Sequence, residues 1–325
     1  MNFVDLHTHS TASDGTLTPE EVVVRASFLG LKAIALTDHD TVDGIARAKQ
    51  AAKSSSLELI PGMELSCIYQ GTEIHILGFF ADETDRQLTE GLNEFRQIRC
   101  RRNDNMLRRF QEDGFNITME DLMHGNPDTV ITRAHFARVL AEKGYVSSPS
   151  KAFDKYLQYG GPYCTRKETV TPKQVMELMN RCHVWPCLAH PMQYGLGYEE
   201  TEKLVLLLKE LGLRGLEVYH SSHHQPQSAR LQVIAQKTGL LPSGGSDFHG
   251  GNKPDIELGR GRGGLRVSYA LLKDIKDDYK RMITPSFYSS QPVRKPSALC
   301  HEPSSSQALQ TPPPAKEHTL PNKGE

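Results

Sequence analysis

A pair of histidines with a nearby carboxylate stands at the end of the first predicted strand, in "VDLHTHSTASDG" (residues 4–15). His7 and His9 are two residues apart, so the alternation of side chains along a strand places them on one face. Asp14 follows in the next loop. A lone histidine would usually be a packed or hydrogen-bonded residue there. Two histidines on one face beside a carboxylate are more typical of a metal site.

The same pattern recurs where later predicted strands end. Residues that bind metal ions or carry protons follow one apolar run after another: Asp38, His39, Asp40, Glu64, His75, His190, His220, Asp247 and His249. In parallel α/β barrels the catalytic residues come from the carboxyl ends of several strands. Burying so many ionisable groups together requires a compensating cation, so the sequence predicts that they meet around bound metal.

The residue types limit which metal fits. Histidine and carboxylate ligands without cysteine suit Mn, Zn, Fe or Co and argue against a structural zinc site. The candidate ligands are too many for one ion, because catalytic zinc takes about three protein ligands. We therefore expect two or three divalent ions, with Mn favoured. Ions about 3.5–4 Å apart suit the hydrolysis of phosphate esters.

The elements that must position these residues alternate between strand and helix at both ends of the chain. Apolar runs and capping signals predict strands at 4–7, 33–37, 57–61, 63–69, 73–79, 184–189, 215–219 and 241–244, and helices at 19–29, 42–53, 85–112, 172–181, 199–211 and 225–238. This alternation predicts an α/β domain with a mostly parallel sheet or barrel.

Composition divides the chain further. Residues 99–170 contain no convincing strand and are predicted to be a helical insertion between two barrel parts, 1–98 and 171–284. Residues 285–325 are rich in Pro and Ser and are predicted to be a disordered tail, because they cannot bury enough apolar surface to offset the ordering entropy.

Bulk properties exclude several classes of function. The net charge of −1 implies no general attraction to nucleic acid or membrane, and no apolar run is long enough to span a bilayer. The six cysteines are scattered, which is typical of reduced thiols in a cytoplasmic protein. Nucleotide-binding glycine motifs and a GxSxG elbow are absent, and "GRGRGGL" (259–265) is predicted to be a loop.

Six motifs, in their order along the chain, resemble the polymerase and histidinol phosphatase (PHP) family of metal-dependent phosphoesterases: "DLHTHSTASDG", "ALTDHDTVDG", "PGMELS", "EIHILGFF", "LAHP" and "GGSDFHG". The resemblance implies a distorted seven-stranded (β/α) barrel. It also implies the metal ligands His7, His9, Asp14, His39, Glu64, His75, His190, Asp247 and His249. Glu64 and Asp247 are then expected to be shared between ions. Asp40 and His220 are expected to take a catalytic part, as proton carriers or substrate contacts.

The predicted insertion carries candidate phosphate-binding residues. Arg99, Arg102 and Asn103 fall on one helical face, and Thr132, Arg133 and His135 lie at a helix start, where anions are favoured. An arginine fork binds phosphate with two hydrogen bonds. A solvated charged face remains the alternative, and His135 alone would more often be a packed or surface residue.

A helical insertion after "EIHILGF" is similar to one PHP subgroup, which includes nucleoside 3′,5′-bisphosphate phosphatases and 5′→3′ exonucleases of short RNA. The resemblance implies a nucleotide or short RNA substrate whose 5′-phosphate contacts the insertion. It implies no membrane association and no stable DNA complex, and leaves the oligomeric state open. Gln193 departs from the subgroup, where we expect an arginine, and His223 and His224 are expected to be loop residues. The alternatives are a histidinol-phosphate phosphatase or other phosphomonoesterase, and a non-catalytic metal-binding module.

Overall fold

The computed structural model describes residues 2–127, 129–158, 160–164 and 169–284. Its strands are β1 (Phe3–Thr8), β2 (Ala33–Leu36), β3 (Glu58–Tyr69), β4 (Thr72–Phe79), β5 (Trp185–Leu188), β6 (Gly215–His220), β7 (Leu241–Gly245) and β8 (Val267–Ser268). The helices are α1 (Pro19–Phe28), α2 (Ile45–Ala52), α3 (Arg86–Glu112), α4 (Met119–Met123), α5 (Arg133–Glu142), α6 (Pro149–Lys155), α7 (Pro172–Arg181), α8 (Gly197–Glu210), α9 (Gln225–Thr238) and α10 (Tyr269–Ile283).

The strands form one nearly closed α/β barrel. They are hydrogen-bonded in the order β7-β6-β5-β4-β3-β2-β1-β8. The backbone after β7 then returns to β1, where the Asp247 amide donates to the His7 carbonyl at 2.8 Å and the His9 amide donates to the Phe248 carbonyl at 2.9 Å. Strand β4 runs antiparallel to both of its neighbours and β8 runs antiparallel to β1, whereas the other neighbouring strands are parallel. The predicted distorted seven-stranded fold is confirmed, with the two-residue β8 added at one edge.

One predicted boundary inside the barrel is wrong. The sequence predicts two strands at 57–61 and 63–69, but the structure has the single twelve-residue strand β3. Its first part, up to Pro61, pairs with β2, and its second part, from Gly62, pairs with β4. Proline and glycine look like a turn in the sequence. Here they mark the point at which one strand changes partners, and tertiary pairing overrides the local breaker signal.

Helix α3 connects the barrel to the segment that follows it. Asp85 caps the helix by accepting hydrogen bonds from the amides of Gln87 and Leu88. Side chains near its start, such as Leu92, pack in the barrel core, whereas those near its end, such as Phe110, pack with α4, α5 and α6 in a separate apolar cluster. A boundary at 98/99 would fall inside this continuous helix, so the division of the chain at 98/99 and 170/171 stays a prediction.

Three further expectations concern the glycine-rich loop, the C-terminal tail and membrane-spanning helices. Residues 259–265 form turns, as predicted for "GRGRGGL". The predicted disordered tail lies outside the described residues. Among those that are described, no helix is both long and apolar enough to cross a membrane.

Substitution of Phe110 tests how much the packing of the second apolar cluster contributes to stability. Phe110 is fully buried and stacks on Tyr163, with ring centroids 4.0 Å apart. Phe110→Ala should lower the free energy of unfolding by about 3–5 kcal/mol, because it leaves a cavity in packed surroundings. Denaturant unfolding of the full chain measures this. Phe28→Ala is the matched control, since Phe28 is 89% exposed and its loss should cost under about 0.5 kcal/mol. Equal effects of the two substitutions would contradict the packing described.

Candidate metal centre

The histidines and carboxylates singled out in the sequence meet at one mouth of the barrel. Carboxyl ends of parallel strands share one edge of the sheet, which brings together residues far apart in the sequence. His7 lies on β1 and His9 just after it; His39 follows β2, His190 follows β5, and His220 ends β6. Glu64 and His75 lie on the antiparallel pair β3 and β4, and Asp247 and His249 follow β7. All of them except His75 are buried.

The backbones of β7 and β1 approach each other closely at the mouth of the barrel. A Cβ atom on Gly245 would lie 2.4 Å from the backbone nitrogen and the Cβ of His7, so only glycine allows β7 to pack here. The next turn holds Asp247 with a positive φ of 60°. A non-glycine residue in this region costs free energy, and such residues cluster at functional sites.

Glu64 lies at the centre of the group. Its Oε2 atom is 3.4 Å from His7 Nε2 and 3.3 Å from His9 Nε2. Its other oxygen, Oε1, is 3.0 Å from His75 Nδ1 and 2.9 Å from His190 Nε2. The two carboxylate oxygens therefore face different pairs of histidines, which suits a carboxylate that is shared between two ions.

Asp247 completes the first of these arrangements. Its Oδ1 atom lies 3.6 Å from His7 Nε2 and 3.4 Å from His9 Nε2. Both histidines thus lie 3.3–3.6 Å from a carboxylate oxygen of Glu64 and from one of Asp247, close enough for these donors to share a divalent ion.

Further groups of donors surround this centre. In each of them the ligand atoms lie within 4.8 Å of one another. One consists of His9, Asp14, His39 and His249; the others are His7 with His220 and Asp247, His7 with Glu64 and His190, and His39 with Glu64 and His75. The described residues thus offer clusters able to hold more than one metal ion.

Polar atoms without partners support the same conclusion. Buried polar atoms in native proteins are nearly always hydrogen-bonded, because an unsatisfied one costs about 1–3 kcal/mol. Among the described residues, several buried side-chain atoms at this mouth have no hydrogen-bond partner: His7 Nε2, His9 Nδ1 and Nε2, His39 Nδ1, Glu64 Oε2, His190 Nδ1 and His220 Nε2. Most of these atoms belong to the donor groups, so the residues present fit divalent cations.

The ionised state of the two central carboxylates suits metal binding. Burial alone would raise the pKa of Glu64, but the surrounding His39, His75 and His7 outweigh it and hold that pKa well below its ordinary value. Burial likewise opposes ionisation of Asp247, yet Lys253 and the neighbouring histidines keep its pKa well below normal. Both carboxylates are therefore ionised acceptors.

Two charged residues that the sequence prediction missed support these ligands. Glu217 is fully buried; its Oε1 lies 3.0 Å from His7 Nδ1, and its Oε2 accepts a hydrogen bond from the His190 amide at 2.6 Å. A charge inside the apolar run "GLEVY" was the available signal. Lys253 donates to Asp247 Oδ2 at 2.6 Å, and no sequence motif identified it.

A cavity of about 300 Å³ opens beside the metal centre. Of the predicted substrate contacts, Arg99, Thr132 and Arg133 line it, together with Gln193. Thr132 also donates to Asp14 Oδ2 at 3.0 Å, which ties α5 to the metal centre.

The other predicted substrate contacts lie outside this cavity wall. Arg102 is 3.5 Å from Glu73 and donates to Asn103, which in turn donates to the Ile131 carbonyl. His135 accepts from the Thr132 amide at 3.0 Å as part of a helix cap, and burial lowers its pKa to about 4. These residues support the wall from behind.

The two predicted catalytic residues have different surroundings. Asp40 Oδ2 accepts a hydrogen bond from Arg99 at 2.5 Å, and Asp40 Oδ1 accepts one from the Ser66 amide at 3.1 Å. His220 Nε2 lies 3.4 Å from Asp247 Oδ2. His223 and His224 are in the loop after β6, as expected.

Glu217 gives a direct test of the supporting contacts. Glu217→Gln should weaken metal affinity about 10–100-fold, since outer partners orient the ligating histidines and raise their basicity. Competition with a chromophoric chelator measures the affinity. Glu112→Gln, a change at a surface residue that is 57% exposed on its side chain, is the control. If the metal affinity of the Glu217→Gln variant is unchanged, Glu217 does not support the metal ligands as described.

Comparisons with known proteins agree with this geometry. The model of the PHP domain matches residues 5–211. The chain is 35% identical over 258 residues to the 5′-3′ exoribonuclease Rnm of Escherichia coli strain K12, covering 79% of this chain and 88% of the relative. It is 32% identical over 261 residues to the 3′,5′-nucleoside bisphosphate phosphatase of Chromobacterium violaceum, covering 80% and 91%.

A solved structure has the same fold. A candidate metal-dependent phosphoesterase from Bifidobacterium adolescentis superposes with a TM-score of 0.73 at 30% identity, covering 84% of this chain and 94% of that one. The family match, the two relatives and the shared fold all agree with the cluster of histidines and carboxylates that fits divalent cations. The chain therefore belongs to the PHP family of metal-dependent phosphoesterases and is a phosphoric ester hydrolase.

Proposed function

We propose that this hydrolase removes the 3′-phosphate from nucleoside 3′,5′-bisphosphates, converting adenosine 3′,5′-bisphosphate to AMP, and trims short RNA from its 5′ end. The names of the two relatives support both activities. One observation carries the proposal: Arg99 and Arg133 line the same cavity as donors of the metal centre, including Glu64. A substrate with two phosphates uses both parts of that cavity.

The charge of the cavity wall favours an anion. The guanidinium groups of Arg99 and Arg133 in the cavity wall, and that of Arg102 behind it, face two carboxylates: Asp40 pairs with Arg99, and Glu73 pairs with Arg102 and Arg133. These three guanidinium groups against two carboxylates leave an excess of one positive charge in this part of the site. The carboxylates hold the guanidinium groups in place, so a non-scissile 5′-phosphate would meet a preorganised, cationic wall.

The nine residues His7, His9, Asp14, His39, Glu64, His75, His190, Asp247 and His249 would hold the ions. We propose three ions, because donors cluster around His7, His9, Glu64 and Asp247, around Glu64 with His75 and His190, and around Asp14 with His39 and His249. Manganese is the proposed metal, since the ligands are histidine and carboxylate without cysteine. When bound, such ions polarise a phosphoryl oxygen and activate a water molecule.

The chain's own residues position the substrate and handle protons. Arg99 and Arg133 would orient the 5′-phosphate, which places the 3′-ester at the mouth of the barrel. The pairing of Asp40 with Arg99 favours a positioning part for this carboxylate over proton transfer. His220 is the candidate to carry a proton to the leaving group, or to be a further ligand beside Asp247. A cytoplasmic location is proposed on the cysteine pattern.

A panel of phosphate esters tests this function. With Mn²⁺ present, phosphate release from adenosine 3′,5′-bisphosphate should be much faster than from adenosine 3′-monophosphate or histidinol phosphate, because only the bisphosphate reaches both parts of the cavity. Release from histidinol phosphate but not from the bisphosphate would establish the monoesterase alternative. A metal-loaded preparation inactive on every ester would establish a non-catalytic module.

Substitution of Arg133 tests recognition of the 5′-phosphate separately from the hydrolysis step. Arg133→Met should raise KM for the bisphosphate about 10–150-fold, the range for a lost charge-assisted hydrogen bond. Hydrolysis of adenosine 3′-monophosphate, which lacks the 5′-phosphate, should change little. Arg108→Met removes an exposed arginine of α3 and serves as the control. A similar loss on both substrates would remove Arg133 from the 5′-phosphate site.

A further inference from the structure

Two more cavities continue from the metal centre across the surface of the barrel mouth. The second, of about 390 Å³, shares Phe153, Gln193, Asp247 and Lys253 with the first. The third, of about 610 Å³, shares His220, Ser221 and Arg262 with the second. Because neighbouring cavities share wall residues, we treat the three as parts of one groove. We call the second and third cavities together the distal groove.

Cationic side chains and hydroxyl groups line the distal groove, and its nearer cavity also contains the carboxylates of Asp154, Asp247 and Asp255. Lys253 stands at its junction with the metal centre, Arg262 lines both of its cavities, and Arg266 lines the far one. Arg262 pairs with Asp255 at 2.8 Å, but both side chains are more than half exposed, so this pair is weak and exchangeable. Arg266 donates to the carbonyls of Gly263 and Leu265 and has no carboxylate partner among the described residues.

The loop "GRGRGGL" is held against this groove by a close contact. Gly261 has a positive φ of 57°, and a Cβ atom there would lie 2.4 Å from Ser221 Oγ. The positive φ favours glycine here, and the short distance shows how closely the loop approaches the end of β6. The neighbouring Arg262 is thereby placed in the groove wall. Neither the loop nor its arginines take part in the proposed hydrolysis of the bisphosphate.

An aromatic ring stands between the metal centre and the distal groove. Phe153 of α6 is half-buried and lines both of the first two cavities. The guanidinium carbon of Arg133 lies 5.7 Å from its ring centroid. Aromatic faces flanked by cations are the surfaces on which unpaired bases stack, because every base has a π face.

We infer that the distal groove binds the nucleotides that follow the scissile phosphate of a single-stranded oligonucleotide, with Arg262 and Arg266 contacting its backbone and Phe153 stacking a base. The inference rests on the proposed function. It identifies an oligonucleotide as the substrate that uses the whole groove. A nucleoside bisphosphate would fill only the first cavity and leave Arg262 and Arg266 with no phosphate to contact.

The double variant Arg262→Gln, Arg266→Gln tests this inference. Its kcat/KM on a 5′-phosphorylated hexaribonucleotide should fall about tenfold or more, while hydrolysis of adenosine 3′,5′-bisphosphate stays unchanged. The slope of log kcat/KM against log salt concentration for the hexaribonucleotide should become shallower by about 1.4, since each phosphate contact on a single strand contributes about 0.7.

Lys237→Gln is the matched control, because it also removes an exposed positive charge but lines none of the three cavities. Equal hexaribonucleotide rates in the wild type and the double variant, or an equal loss in the control, would overturn the groove assignment. A wild-type chain that hydrolyses the bisphosphate but not the hexaribonucleotide would overturn it while leaving the phosphatase activity intact. A wild-type chain inactive on both would refute the proposed function itself.

Discussion

The buried carboxylate of Glu64 among histidines is the interaction on which the rest of this structure depends. Its two oxygens contact His7, His9, His39, His75 and His190 from five directions. Ionised and buried groups of this kind are costly unless paired and fully hydrogen-bonded, and several donors around them have no partner among the described residues. Divalent cations remove that cost. The barrel mouth is therefore a scaffold whose electrostatics are completed by metal, and hydrolysis of phosphate esters follows from the same charge.

The segment after the first barrel half is attached to this centre by direct contacts. Arg99 of α3 holds Asp40, and Thr132 at the start of α5 donates to Asp14. The Asn126 side chain donates to the Thr11 carbonyl at 2.7 Å, within the loop that follows His9. The proposed substrate-binding residues and the candidate ligands thus share hydrogen bonds, so a displacement of the helices would move both. This arrangement would couple the proposed recognition of substrate to hydrolysis in one cavity.

Charge is distributed unevenly around the mouth although the whole chain is nearly neutral, with a net charge of −1. Guanidinium groups stand on one side of the metal centre, and Lys253, Arg262 and Arg266 extend away on the other. Global charge therefore says little about the partner of this protein. The local combination of cations, metal donors and an aromatic ring in adjoining cavities is the feature that suits a chain of phosphates.

The family, the barrel and the residues that meet at its mouth could be predicted from the amino-acid sequence, because strand ends such as "TDHDT" and "GGSDFHG" carry metal-binding residues at positions that the strand period fixes. The sequence could not determine which side chains share a wall. Arg102 and Arg99 lie on one helical face, yet only Arg99 reaches the site cavity. From the sequence, Glu217 is predicted only as a member of an apolar strand, and the two parts of β3 are predicted as separate strands. These points depend on distances between segments far apart in the chain, which local periodicity does not encode, so they become visible only in the folded protein.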